Sequence, residues 1–213
     1  MTDDADIKEL IEAVEKADSA QGLTDAVRDL AEARSPAAIG HLIEALGFNN
    51  PGAAVAAVDG LVALGEPAVV PVLEQLDGYN YGARAWALRA LAGIGDPRGL
   101  DLLLNTAETD FALSVRRAAA RGLGNILWDK MAADEVPAAQ EKVHRTLLKV
   151  VGDPEWVVRY AAVTGMQGLA KAVSSPPPSW FSDLLAHLSA IAKTDTELVV
   201  RCRAQQAYQQ LTG

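Results

Sequence analysis

The residues best able to do chemistry in this chain are arginines set among flat rings between positions 78 and 130. The strings GYNYGARAWALRALAG and TDFALSVRRAAARGLGNILWDK supply Tyr79, Tyr81, Arg84, Trp86, Arg89, Arg117, Arg121, Asn125 and Trp128. A guanidinium fork grips a carboxylate through two parallel hydrogen bonds, and indole and phenol rings offer flat amphipathic surface. Together they suit a planar, conjugated, dicarboxylate ligand, and equally an acidic helical protein partner. Signals for other chemistry are weak. His41, His144 and His187 lie far apart in the chain, and no metal-ligand spacing appears. No glycine-rich phosphate loop follows a strand. Cys202 stands between Arg201 and Arg203, which could depress a thiol pKa. Its place on a helix beside a column of arginines favours a buried, inert thiol instead.

That column belongs to a repeat. NNPGAAVA, GYNYGAR, TDFALSVR, GDPEWVVR and TDTELVVR align so that Asn50, Gly78, Asp110, Asp153 and Asp195 each precede Ala56, Arg84, Arg116, Arg159 and Arg201 by six positions. Three positions beyond the arginines come Ala87, Ala119, Ala162 and Ala204; seven beyond come Leu91, Leu123, Met166 and Tyr208. This is one face of a helix. The turn residues recur at 28, 32, 43 and 42 positions, near the period of two-helix repeats. Each unit therefore reads as turn, helix, turn, helix. Asp110, Asp153 and Asp195 are expected to cap the second helices, with Pro154 in a first turn. Shorter outer helices are expected at 36–46, 67–76, 97–107, 136–151 and 180–193.

The fold class that follows is all-α, an α-solenoid of HEAT-like helix-pair repeats over residues 1–213, with an acidic cap at 1–32. In such repeats the turn aspartate and the helix arginine bond between neighbouring units, so Asp110, Arg116, Asp153, Arg159, Asp195 and Arg201 read as a structural ladder. Residues one and five positions after the column fall on the adjacent stripe. They are Arg89, Arg117, Arg121, Tyr160 and Thr164, with Asn125 a turn further on, and they outline a groove. The first unit has Ala56 in place of arginine, and its apolar run AAVAAVDGLVALG is expected to form an exposed partner edge.

Composition excludes several classes. Half of the chain is apolar but only 5% is aromatic, which favours close-packed helices. The net charge of −9 is concentrated at 1–32, which holds ten acids and three bases, whereas 78–130 holds seven bases and five acids. The acidic total argues against nucleic-acid binding. No apolar run approaches the roughly 20 residues of a membrane span. A single cysteine excludes an internal disulfide framework and fits a reducing cytosol.

The stretches YNYGARAWALRALAGIGDPRGLDLLL, TDFALSVRRAAARGLGNILW and EWVVRYAAVTGMQGL resemble the F-type subunit of the cyanobacterial phycocyanobilin lyases, over about 33–169. YNYGAR and SVRRAAARGLGN are the specific strings. The resemblance implies a heterodimer with an E-type lyase subunit. That dimer would join phycocyanobilin, as substrate, to a cysteine of the phycocyanin α subunit through a thioether. The acceptor supplies the thiol, so no resident cofactor and no nucleophile set is required here. Isomerising relatives carry an adjacent His–Cys pair; Cys202 has no histidine neighbour, which implies attachment without isomerisation. Two other readings stay open: a non-catalytic HEAT-repeat protein that binds phycobiliproteins during phycobilisome turnover, and a general interaction scaffold.

Overall fold

The computed structural model describes residues 4–77 and 81–213, which hold twelve α-helices and no strand. Tyr79 lies outside the described residues, and so does the side chain of Tyr81. The chain divides into two compact units, 1–96 and 97–213. The first contains α1 (Asp4–Lys16), α2 (Ala20–Glu32), α3 (Ile39–Ala45), α4 (Pro51–Leu64), α5 (Glu66–Glu74) and α6 (Tyr81–Ile94). The second contains α7 (Leu100–Thr109), α8 (Leu113–Gly122), α9 (Val136–Val150), α10 (Trp156–Ala172), α11 (Phe181–Thr194) and α12 (Leu198–Thr212).

Each unit is a stack of three helix pairs. In the first, α2, α4 and α6 pack side by side, and α1, α3 and α5 each pack on the helix that follows. In the second, α8, α10 and α12 form the inner row, and α7, α9 and α11 pair with them from outside. Several outer helices open with a short 3-10 turn, such as Pro36–Ala38 and Pro97–Gly99, where proline's missing N–H costs nothing. Helix α4 shows the local logic plainly. The Asn50 side chain accepts from the Ala53 N–H at 3.1 Å, Pro51 occupies the first turn, and Gly65 ends the helix at φ 69°.

The apolar run of α4 is not an exposed edge. Ala53, Ala54, Ala56, Ala57, Val58 and Leu61 are all buried. Helix α2 covers them with Ala26, Val27, Leu30 and Ala31, and Ala31 lies so close to Gly60 that a Cβ there would meet its methyl at 2.6 Å. The acidic first 32 residues thus contribute a helix pair whose inner face seals the run, because small residues on both sides let the backbones approach.

In the second unit the inner helices are also seated by glycine. A Cβ on Gly168 would strike the carbonyl oxygen of Gly124, and one on Gly165 would strike that of Ala120. Helix α10 therefore crosses the end of α8 almost backbone to backbone. The core beneath is large and aliphatic, with Leu123, Leu147, Met166, Leu169, Leu184 and Leu188 fully buried.

Candidate functional site

The turn aspartates do not cap in the expected manner. Helices α8, α10 and α12 begin after Ala112, Glu155 and Glu197, two residues beyond each aspartate. One carboxylate oxygen of Asp110, Asp153 and Asp195 instead accepts the N–H of that later residue, at 2.9, 2.8 and 2.8 Å. This tightens the turn before the helix and leaves the other oxygen for a partner. Pro154 consequently precedes α10 and is not in its first turn.

For Asp153 and Asp195 the partner is the arginine of the preceding inner helix. Arg116 Nε and Nη2 donate to the two oxygens of Asp153 at 2.7 and 3.2 Å, while Nη1 reaches the carbonyls of Asp110 and Phe111. Arg159 repeats this on Asp195 at 2.8 and 2.9 Å, with Nη1 on the carbonyls of Asp153 and Pro154. Arg201 makes the same carbonyl contacts, to Asp195 and Thr196. Burial raises the Asp153 carboxyl, but the Arg116 fork and the Glu155 N–H hold it below the ordinary carboxylate range. In Asp195 the Arg159 hydrogen bond outweighs burial in the same direction.

This bonding locks α8, α10 and α12 into one register, so residues equally far past the arginines occupy equivalent positions. Arg117 and Arg121 stand one turn apart on α8, both exposed. Neither makes a side-chain hydrogen bond or ion pair among the described residues. Tyr160, half-buried, holds the position on α10 equivalent to Arg117. Thr164 is drawn into the seam between α10 and α12, where its hydroxyl receives Arg203 Nε at 3.3 Å. Asn125 is not on the helical stripe. Helix α8 ends at Gly122, and the Asn125 N–H closes a turn on the Gly122 carbonyl at 2.8 Å. Gly122 and Gly124 are poor helix formers, and the close crossing of α10 at Gly124 favours termination there. Trp128, half-buried, opens the short turn that follows.

The first unit holds the other candidates. Arg84 is half-buried on α6, and Arg89 places its guanidinium 5.3 Å over the ring of Trp86 one turn earlier. All four tryptophans keep some surface; Trp156 is 42% exposed and Trp180 stacks on His144 with ring centroids 4.8 Å apart. Cys202 is exposed, contrary to the expectation of a packed thiol, because neither α10 nor α11, which pack on its helix, covers it.

Periodicity gave no sign of the polar group on the outer row. His144 Nε2 and His187 Nδ1 each lie 3.3 Å from a carboxylate oxygen of Asp183. They are separated by 43 positions in the chain, so only the packing of α9 on α11 brings them together. Among the described residues no cluster of metal-ligating side chains exists. No helix there is long and apolar enough to cross a membrane.

Residues 73–163 match the model of the HEAT repeat family. A protein of Synechocystis sp. named phycocyanin alpha phycocyanobilin lyase CpcF is 58% identical over 78% of each chain. The phycocyanobilin lyase subunit beta of Pseudanabaena tenuis is 52% identical over 96% of this chain and 74% of its own. The chain belongs to the F-type phycocyanobilin lyase subunits. A solved structure of this lyase group, the complex of CpcE and CpcF from Nostoc sp., aligns at a TM-score of 0.72 and 47% identity, over 81% of this chain and 99% of the matched one. The HEAT match ends soon after Tyr160, so it contains the arginine–aromatic candidates but neither Asp195 nor Arg203.

Proposed function

We propose that the chain acts with an E-type partner as a heterodimeric bilin lyase, joining phycocyanobilin to a cysteine of the phycocyanin α subunit through a thioether. The observation that carries this is the 58% identity to the Synechocystis lyase named for that bilin and that acceptor. The geometry supports it. A thiol adding across an exocyclic double bond of the bilin needs no oxidant and no leaving group, since the sulfur bonds to carbon and its proton ends on the tetrapyrrole. The acceptor brings the thiol, so the lyase has to hold and orient the bilin and govern protonation. The exposed, uncommitted Arg117 and Arg121 beside Tyr160 suit the propionates and the flat conjugated rings of such a ligand. Arg84, Trp86, Arg89 and Trp128, with Tyr79 and Tyr81, are assigned to the same role of holding bilin or partner. On this reading the work is done in the cyanobacterial cytosol, near the phycobilisomes.

The test is reconstitution of chain, E-type partner, acceptor subunit and bilin, followed by covalent bilin absorbance on the acceptor. The complete mixture should colour the acceptor and the chain alone should not. Arg121→Ala should lower transfer about tenfold or more without a change in melting, as expected for loss of a charge-assisted pair. Binding of the acceptor without any covalent colour would replace this reading with that of a non-catalytic phycobiliprotein binder.

A further inference from the structure

The seam between α10 and α12 differs from the one between α8 and α10 at matching positions. Eight residues past the ladder arginine of α8 and nine past that of α10 stand Gly124 and Gly168, which touch. The corresponding pair one repeat later is Gln167 and Gln210, joined by a hydrogen bond from Nε2 to Oε1 at 2.6 Å. Likewise Arg121 and Ala161 are replaced by Thr164 and Arg203. A glycine seam has become a polar one, and at its centre is a half-buried guanidinium.

Arg203 donates through Nε to Thr164 and through Nη2 to Gln167 Oε1 at 2.5 Å. Both partners are neutral. Among the described residues no carboxylate lies within ion-pair distance of it, and the remaining N–H donors have no protein acceptor. Arg116 and Arg159, by contrast, each spend their fork on an aspartate. The Arg203 head group is thus fixed in orientation, drawn from α12 across to α10, and left with its charge unbalanced. It borders the α10 stripe of Tyr160 and Thr164, whose other neighbour is the α8 stripe of Arg117 and Arg121. A positive group partly withdrawn from water and held by neutral acceptors is arranged for a carboxylate.

We propose that Arg203, oriented by Thr164 and Gln167, binds a propionate carboxylate of the bilin. This rests on the lyase reading and adds to it a contact from the last repeat. The test uses the reconstituted heterodimer without acceptor, titrated with phycocyanobilin free acid and with its dimethyl ester. Wild type should prefer the free acid, and Arg203→Gln should weaken the free acid by about tenfold while leaving the ester unchanged, the size of one lost charge-assisted contact. Arg203→Lys keeps the charge but not the fork, and covers a glutamine variant that fails to fold. It should lose part of the acid preference at an unchanged melting temperature. Equal binding of acid and ester by wild type overturns the proposal, as does unchanged acid affinity in both variants. Normal bilin binding by the variants, with loss of acceptor binding in a second titration that adds the acceptor subunit, would assign the carboxylate to the protein partner and overturn it too. Failure of the wild-type heterodimer to bind bilin or transfer it removes the lyase reading itself, a result distinct from a loss confined to the Arg203 variants.

Discussion

Removing the guanidinium of Arg159 should be among the most damaging single changes in the second unit. Its fork to Asp195 is mostly withdrawn from solvent, with side chains 12% and 7% exposed, so screening reduces the interaction little. Arg159→Ala deletes both bonds to the carboxylate and both to the carbonyls of Asp153 and Pro154. Asp195 keeps only the Glu197 N–H. Orphaning one buried polar group costs about 1–3 kcal/mol, and breaking a buried pair about 3–5. Partial access of water at the turn places the expected loss at about 2–4 kcal/mol. For a unit of this size that lowers the melting temperature by about 8–16 °C. The assay is thermal and urea melting of wild type, Arg159→Ala, Asp195→Ala and the double variant. Coupling in that cycle should be large, because the single changes share one interaction. Arg201→Ala is the internal comparison: it removes only two carbonyl contacts and should cost under about 1 kcal/mol. Acid tests the same pair. The Asp195 carboxyl is held below its ordinary value, first by the Arg159 hydrogen bond, so the pair contributes fully above the unfolded carboxylate value and loses that contribution as pH falls through the folded one. The gap between wild type and Arg159→Ala should therefore close below about pH 4. Equal losses from Arg159→Ala and Arg201→Ala would refute the ladder as the source of stability.

Other expectations can be checked with the same instruments. Gly168→Ala drives a methyl into the Gly124 carbonyl and should cost about 1–3 kcal/mol, whereas Gly40→Ala, with nothing within 4 Å, should gain about 0.4–1 kcal/mol. Matching effects from the two would remove the close crossing of α8 and α10 as the reason for glycine. Burial pushes the His144 imidazole below its ordinary value against the opposing pull of Asp183. The native state thus disfavours its proton, and the melting temperature should fall from about pH 7.5 to pH 5.5. His144→Phe, which keeps a ring against Trp180, should flatten that slope; an unchanged slope would assign it to other groups. Cys202→Ser should leave both melting and bilin transfer unaltered, because the thiol is exposed and, on the lyase reading, the acceptor brings the sulfur that is alkylated. Loss of transfer at constant stability would bring Cys202 into the chemistry.

Local pattern alone determined the helical class, the pairing of helices and the limits of most outer helices to within a residue or two. The reason is that a 3.6-residue apolar period and proline–glycine punctuation act within one helix at a time. The alternation of aspartate and arginine at fixed offsets was equally legible, since it bridges neighbouring repeats as Arg116–Asp153 and again as Arg159–Asp195. Tertiary structure decided everything that depends on which neighbour arrives. The apolar α4 run reads as exposed until α2 is seen to cover it. Asn125 reads as helical until Gly124 meets α10. Cys202 reads as buried until the packing of α12 is seen to leave it exposed. Arg203 was legible only as a neighbour of Cys202 and not as a binding group, because that meaning lies in a comparison of two seams, one closed by glycine and one held by polar side chains, and that difference exists only once three helices share a register.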